Sequence, residues 1–338
     1  MIDLNPTPYG GALNNMSIKK NLEITLGSDP ELFLFDTKTS QIVNALTVLK
    51  KDKHDPIELT DGVKMYADNV LVEASFSPAH TPVAATMAIR SVLKACHNFV
   101  GNDYSLLPLC AHKMSGLPPK PSDELVEKWL EDKSGEVKGV PPEWQIGCNP
   151  NFDVYGGEFG AIRKQTPFRD ELRSGSFHIH VGNSNYLSGE DKRLLTIESK
   201  VAAVKLMDLF VGLSEVVINT DSTSIKRREL YGRAGEFRPT KYGIEYRVLG
   251  NYALRHPKTT LLMFELTAFA MSMFSSFDLS QECINMHNTL EVQRAINTND
   301  KTLALSILKE SWLPASMFDR VRSQPDVTSF STAKNWGL

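Results

Sequence analysis

Gly175-Ser176-Phe177-His178-Ile179-His180-Val181-Gly182 alternates between apolar and polar side chains. Successive side chains on a strand point to opposite faces, so Phe177, Ile179 and Val181 pack one way while His178 and His180 face the other. An H-x-H strand is a frequent metal-ligand arrangement, in zinc hydrolases as well as in magnesium enzymes. Either imidazole alone would more often be a satisfied core histidine. The pair, flanked by glycines that let a ligand approach the backbone, favours a ligand site.

Three further segments repeat the device. In Gly27-Ser-Asp-Pro-Glu-Leu-Phe-Leu-Phe-Asp36, Asp29 and Glu31 point the same way ahead of a hydrophobic strand. Carboxylates that close repel each other unless a cation lies between them, though a solvated turn would look the same. In Asp68-Asn-Val-Leu-Val-Glu-Ala-Ser-Phe76, Glu73 sits mid-strand among apolar residues, where it calls for a metal or a salt bridge. In Tyr242-Gly-Ile-Glu-Tyr-Arg247, Glu245 and Arg247 share a face opposite Ile244 and Tyr246. Just upstream run Arg227, Arg228, Arg233 and Arg238, interleaved with Gly and Pro. Guanidinium forks grip phosphate oxygens bidentately, so this stretch suits a polyphosphate clamp, and a solvated basic loop paired to Glu229 and Glu236 is the alternative.

Around these motifs, residues 1–20 read as a loose polar arm, and the rest as one domain. Leu22 to Asp36 gives two strand pieces broken by a turn, and Val70 to Phe76 a strand. Thr81 caps a helix that has Pro82 at its first position and runs to about Val100. Prolines crowd about residues 112–160, which read as an insertion or lid with one charged helix over Ser122–Lys133. Ser188 with Asp191 opens a long helix to about Ile218. Arg238 to Leu249 returns to strand, and the chain after Pro257 is mostly helical. Helices between hairpin-like strands favour an α+β fold over a doubly wound sheet.

Hydrophobic content of 41% and charged content of 23% belong to a globular chain with a sizeable core. A net charge of −3 argues against a general nucleic-acid binder. Four scattered cysteines form no C-x-x-C pair, which leaves a zinc ribbon without support and suits a reducing cytosol. The first residues lack the pattern of a signal peptide, and Leu261–Phe274, interrupted by Glu265, is short for a membrane span. A cytoplasmic protein without nucleic-acid or membrane partners is expected.

Taken in order, the four segments resemble the glutamine synthetase/glutamate–cysteine ligase superfamily, and within it the phage-type COOH–NH2 ligases (type 2, amidoligases). Gly27–Asp36 is similar to the metal-binding strand with two acids one residue apart, and Gly175–His180 to the strand whose first histidine binds metal and whose second approaches the nucleotide. Arg233-Ala-Gly-Glu-Phe-Arg238-Pro239 resembles a phosphate-clamp segment, and Glu245-x-Arg247 the metal-ligating Glu followed by an arginine. The likeness spans about residues 26–250. It departs from glutamine synthetase in lacking an N-terminal β-grasp domain of normal size, in having Asp29 for the first Glu, and in offering only Glu73, with Asp68 as candidate partner, for the second acid pair.

The resemblance implies a glutamine-synthetase-like catalytic domain, a curved and mostly antiparallel half-barrel sheet backed by helices. It implies ATP and two or more Mg²⁺ or Mn²⁺ ions, with the host cytoplasm as location if the chain is phage-encoded. Glu31 and Glu73, with Asp68, would hold one ion; Asp29, His178 and Glu245 would hold a second. His180, Arg228, Arg233 and Arg238 would bind the nucleotide, and Arg233, Arg238 and Arg247 would neutralise the moving phosphoryl group. An acyl phosphate and then an amide would form from a small-molecule or peptide carboxylate and amine. Ser174, Gly175, Asp68 and Cys148 are candidate substrate contacts, with Cys148 and Asp153 in an acceptor pocket. A homo-oligomer is left open. Arg233 and Arg238 are five apart, so a turn at Gly235 must bring them together.

Three other readings compete: a metal-dependent hydrolase using the H-x-H strand, an inactive ligase-like binding protein, and a phosphotransferase making a phosphoguanidine. ATP-dependent phosphate release separates the ligase from the first two, and the phosphotransferase would make no amide.

Overall fold

The computed structural model describes residues 22–132, 138–145, 151–157, 160–163, 168, 170–188 and 192–338. The proposed arm at residues 1–20 and Cys148 lie outside them, as do residues 133–137, 146–150 and 158–159 of the 112–160 segment.

The fold is a mixture of helix and antiparallel sheet. A six-stranded sheet runs in the order Ile24–Ser28, Ile179–Asn183, Gly243–Tyr246, Glu236–Pro239, Phe152–Asp153, Ala161–Ile162, and every pairing in it is antiparallel. Its apolar face carries Leu26, Ile179, Val181, Phe237, Ile244 and Tyr246, all fully buried. Their alternation predicts this burial, and helices Ile197–Met207 and Pro257–Phe274 supply the cover. The opposite face carries His180, Glu245, Arg238, Glu236 and Asp153, which the register sets side by side: His180 faces Glu245, Glu245 faces Arg238, and Glu236 faces Asp153.

Only Asp29 and Pro30 separate the first strand from Glu31–Asp36, the central member of a second antiparallel sheet with Gln41–Val43, Ile57–Glu58, Lys64–Asp68, Leu71–Ser75 and Tyr104–Leu107. Proline removes a ladder donor, and the chain changes sheet there. In the second sheet Glu31 faces Glu73, and Glu73 faces Tyr66.

Helix Pro82–Val100 begins at the expected cap, with Thr81 accepting from the Ala84 N–H and Pro82 in the first turn. Helix Asp123–Glu131 has Ser122 as its cap. The expected start at Ser188 is wrong. Ser188 donates to the Asn185 carbonyl, and the helix begins at Ile197 under a Thr196 cap. It is then broken by a π-helical turn over Asp208–Gly212 before Leu213–Ile218. Arg238–Leu249 is not one strand, because Thr240–Tyr242 turns the chain into a hairpin. Six helices follow from Pro257 onward, as expected. No described helix is long and apolar enough to cross a membrane.

Near the proline-rich stretch, Val126, Val140 and Trp144 form a small apolar cluster with Leu117, Leu125 and Phe168. Arg173 stacks between Trp144 and Phe168, its guanidinium carbon 4.6 and 4.0 Å from the ring centres. It joins this cluster to the short strand that leads to Gly175.

Candidate active site

Two groups of side chains that could ligate a metal ion lie where the sheets meet. In the first, Asp29, His180 and Glu245 bring ligand atoms within 4.8 Å of one another. Asp29 Oδ1 lies 3.1 Å from His180 Nε2 and 3.2 Å from His178 Nδ1, which is itself 3.8 Å from Glu245 Oε1. Asp29 Oδ1, His180 Nε2 and both His178 ring nitrogens are buried without a hydrogen-bond partner. Orphaned polar atoms are costly in a protein interior, and Asp29 Oδ1, His180 Nε2 and His178 Nδ1, drawn together here, fit a bound cation. Burial would raise the Asp29 carboxyl, but His180 and His178 outweigh it and hold the group far below the usual carboxylate range. Burial would likewise lower His180, yet Asp29 and Glu245 raise it to about 10.

The sequence reading gave His178 to the metal and His180 to the nucleotide. The structure does not separate them in that way. Residues two apart share a strand face, so both imidazoles reach the same carboxylate, and His180 is the one in the compact triad. Tyr242, which the motif reading passed over, shares a 2.8 Å hydrogen bond with His180 Nδ1.

In the second group, Glu31, Asp68 and Glu73 also bring carboxylate oxygens within 4.8 Å of one another. Asp68 thus joins the pair as the partner considered for it. Here no guanidinium is paired to any of the three among the described residues. Burial, with Asp68 and Asp29 adding to it, raises Glu31 to about 7 against the pull of His178. Burial and its neighbours Asp68, Asp29 and Glu31 push Glu73 well above its ordinary value, and Asp68 is raised by burial as well. Tyr66, directly across the ladder, donates to Glu73 Oε1 at 2.6 Å. Its spacing two before Asp68 is the signal that would have found it.

The five arginines divide. Arg247 is fully buried and donates to Glu245 Oε1 at 2.7 Å, while Arg238, a third exposed, reaches Glu245 Oε2 at 3.2 Å. Both therefore border the first group. Arg227 instead donates to the carbonyls of Gly175, Arg247 and Val248. Arg228 is buried against Glu215 at 3.0 Å and also donates to the Gly232 and Val248 carbonyls. These hydrogen bonds commit Arg228 to holding the chain, so its place in the nucleotide clamp is corrected. Arg233 does not meet Arg238 either. The turn at Gly235, with φ +79°, is where it was expected, but it carries Arg233 toward a separate pocket with Asp153 and Arg163.

Gly175 is not open to a ligand. A side chain there would meet the Asn251 amide, the Leu109 carbonyl at 2.8 Å and the Glu31 carbonyl at 3.0 Å. Asn251 is fully buried and donates to those two carbonyls, which anchors the strand start that bears Glu31. Ser174 pairs with Ala111 in a short two-stranded ladder. The glycine is there for the protein's own packing.

No curated protein matches the chain. Among solved structures, the crystal structure of a bifunctional glutathione synthetase from Pasteurella multocida aligns over 93% of this chain and 48% of its own, at 10% identity and a TM-score of 0.41. The chain thus spans about half the length of that protein, and a likeness so distant carries no argument. Residues 171–330, which include both histidines, all five arginines and Glu245, match the model of the family described as Phage phiEco32-like COOH-NH2 ligase-type 2, the family that the sequence motifs resemble.

Proposed function

We propose that the chain is an ATP- and divalent-metal-dependent carboxylate–amine ligase, on a glutamine-synthetase-like catalytic domain over about residues 21–338. The observation that carries this reading is the pair of ligand groups, Asp29–His180–Glu245 and Glu31–Asp68–Glu73, beside Arg238 and Arg247. The family's description as a COOH–NH2 ligase supports it.

The donor sets fit hard divalent cations. One group is all oxygen and the other adds imidazole, which suits Mg²⁺ or Mn²⁺ better than a thiolate-seeking metal. Such ions would neutralise charge on a triphosphate. Glu245 holds Arg247 and Arg238 in fixed positions, and fixed positive charge needs no reorganisation as negative charge moves during phosphoryl transfer. Arg238 is the exposed member and the one placed to touch a phosphate oxygen. In the proposed reaction a substrate carboxylate oxygen attacks the γ-phosphorus of ATP, ADP leaves, and an acyl phosphate results. An amine then attacks the acyl carbon, phosphate leaves, and the nitrogen loses a proton as the amide forms.

The test is ADP release from the full chain with Mg²⁺, over a panel of carboxylates and amines, with Glu245→Ala beside it. Amine-dependent ADP release that is lost in the variant is expected. Chelator-sensitive hydrolysis without ATP would instead support the hydrolase reading, and neither activity the binding-protein reading.

A further inference from the structure

Within the Glu31–Asp68–Glu73 group, Asp68 has the least support from its own ladder. Glu31 and Glu73 face each other inside the sheet, whereas Asp68 pairs with Leu71 in the last rung before the hairpin turns at Asn69 and Val70. Asn69 has φ +60°, in the left-handed region where glycine is at ease and asparagine is tolerated. A hairpin end opens readily unless contacts outside the ladder hold it.

The contacts that hold it come from Glu143-Trp144-Gln145 in the proline-rich stretch. The Asn69 amide donates to the Gln145 carbonyl. Asn44 donates to Glu143 Oε1 at 3.1 Å, and its neighbour Ala45 donates its N–H to the Val70 carbonyl at 3.0 Å. Two asparagines beside one turn therefore grip the same short segment. From the other side, Arg173 donates to the Glu143 carbonyl at 2.9 Å while it stacks on Trp144. Its strand leads to Ser176, whose carbonyl accepts from the Glu31 N–H at 3.0 Å. Glu143–Gln145 thus joins the turn after Asp68 to the strand start that holds Glu31. Satisfying a loop carbonyl does not require this device, because Gln145 is half-buried and water would serve it as well. We propose that Asn69 is a positioning residue. Its grip on Gln145 fixes the Asp68 carboxylate against Glu31 and Glu73 and so sets the affinity of that group for a divalent cation. The proline-rich stretch then acts as a brace for the second group. This rests on the divalent-metal part of the proposed function and is independent of amide formation.

The experiment uses Asn69→Gly, which removes the amide and keeps the left-handed backbone at no steric cost. Tm of the full chain is followed against Mg²⁺ and, separately, Mn²⁺, starting from chelator, for the parent, Asn69→Gly, Asp68→Asn and the double variant. In chelator Asn69→Gly should melt with the parent or above it. The cation concentration giving half of the Tm rise should increase at least fivefold in Asn69→Gly and in Asp68→Asn. The double variant should match Asp68→Asn alone, because Asn69 acts through that carboxylate. An unchanged half-point in Asn69→Gly overturns the proposal, and a lower Tm in chelator with that unchanged half-point marks a purely structural bond. Additive shifts in the double variant also overturn it, since Asn69 would then act elsewhere. A parent whose Tm ignores both cations removes the proposal together with the metal reading. The expected shifts in a chain without ATP turnover would leave the brace standing and sink the ligase reading. Turnover with an unchanged half-point would do the reverse.

Discussion

Asp29–His180–Glu245 and Glu31–Asp68–Glu73 each offer three ligands in a space of similar size, yet they sit in opposite electrostatic states. The first is surrounded by compensating charge: two imidazoles on Asp29 and two guanidiniums on Glu245. The second has no paired guanidinium among the described residues, and a tyrosine hydroxyl with the pull of His178 does not offset burial and mutual repulsion, so its acids are pushed upward. The same residue types thus behave differently because of what the neighbouring strands present. The first group is balanced by its own neighbours, whereas burial and mutual repulsion oppose ionisation of the second, which a cation would favour.

The largest test breaks the compensation of the first group. Arg247→Ala leaves Glu245 buried with half of its support, so a loss of roughly 3–5 kcal/mol of stability is expected from removing one partner of a buried pair. Arg238→Ala, at a third-exposed partner, should cost about 1 kcal/mol or less. Urea unfolding of both variants checks the ranking, and equal losses would show that burial does not govern the pair. Glu245→Ala sharpens the same point on turnover. Its loss releases both arginines and one ligand together, and a fall in ADP release of roughly 100-fold or more is expected, the scale of removing one preorganised electrostatic contact.

For the second group the test is the metal proposed for it. A buried carboxyl raised to about 7, as Glu31 is, favours the fold while neutral. That contribution is complete below the ordinary glutamate range and is lost as pH rises through 7. In chelator, therefore, Tm should fall between pH 6 and 8. Mg²⁺ at about 100 times its Kd should add roughly 2.7 kcal/mol and reverse the trend. Glu31→Gln keeps the shape without the charge, so it should resist the fall in chelator and lose most of the Mg²⁺ increment. Thermal scans with and without Mg²⁺ decide it, and an undiminished increment in the variant would place the ion elsewhere.

Much of this site is legible from spacing alone. Asp29, Glu31, Glu73, His178, His180 and Glu245 follow from alternation along strands, because a period of two is a local property. What spacing does not carry is where a side chain goes once the chain turns. Arg228 looks equivalent to Arg238 in sequence, but its partner Glu215 lies on a helix that no local pattern connects to it. Arg233 is redirected by Gly232 and Gly235, both with positive φ. Ser188 looks like a helix cap as much as Thr196 does, since capping is decided by which residue's oxygen meets a free N–H. Asn251 and Arg163 belong to no motif, and their roles depend on contacts across the sheet.

The smallest effect concerns the apolar face under the same strand. Asp208 is fully buried in the π-helical turn and accepts from Tyr246 at 2.7 Å and Tyr155 at 2.9 Å. Tyr246 is the neighbour of Glu245 in sequence and points the other way, so this cluster pins the strand that presents Glu245. Burial raises the Asp208 carboxyl to about 7, although both tyrosines oppose it. Its neutral form suits the fold, and the stability it lends is fully present below about pH 4 and lost as pH climbs through 7. Asp208→Asn has nothing to ionise, so its Tm relative to the parent should climb by a few degrees between pH 4 and pH 8. Calorimetric scans of the two proteins across that range measure the difference directly, with the other carboxyls cancelling between them. A difference independent of pH would mean that Asp208 stays charged, and that its two tyrosines hold the strand as donors to an anion.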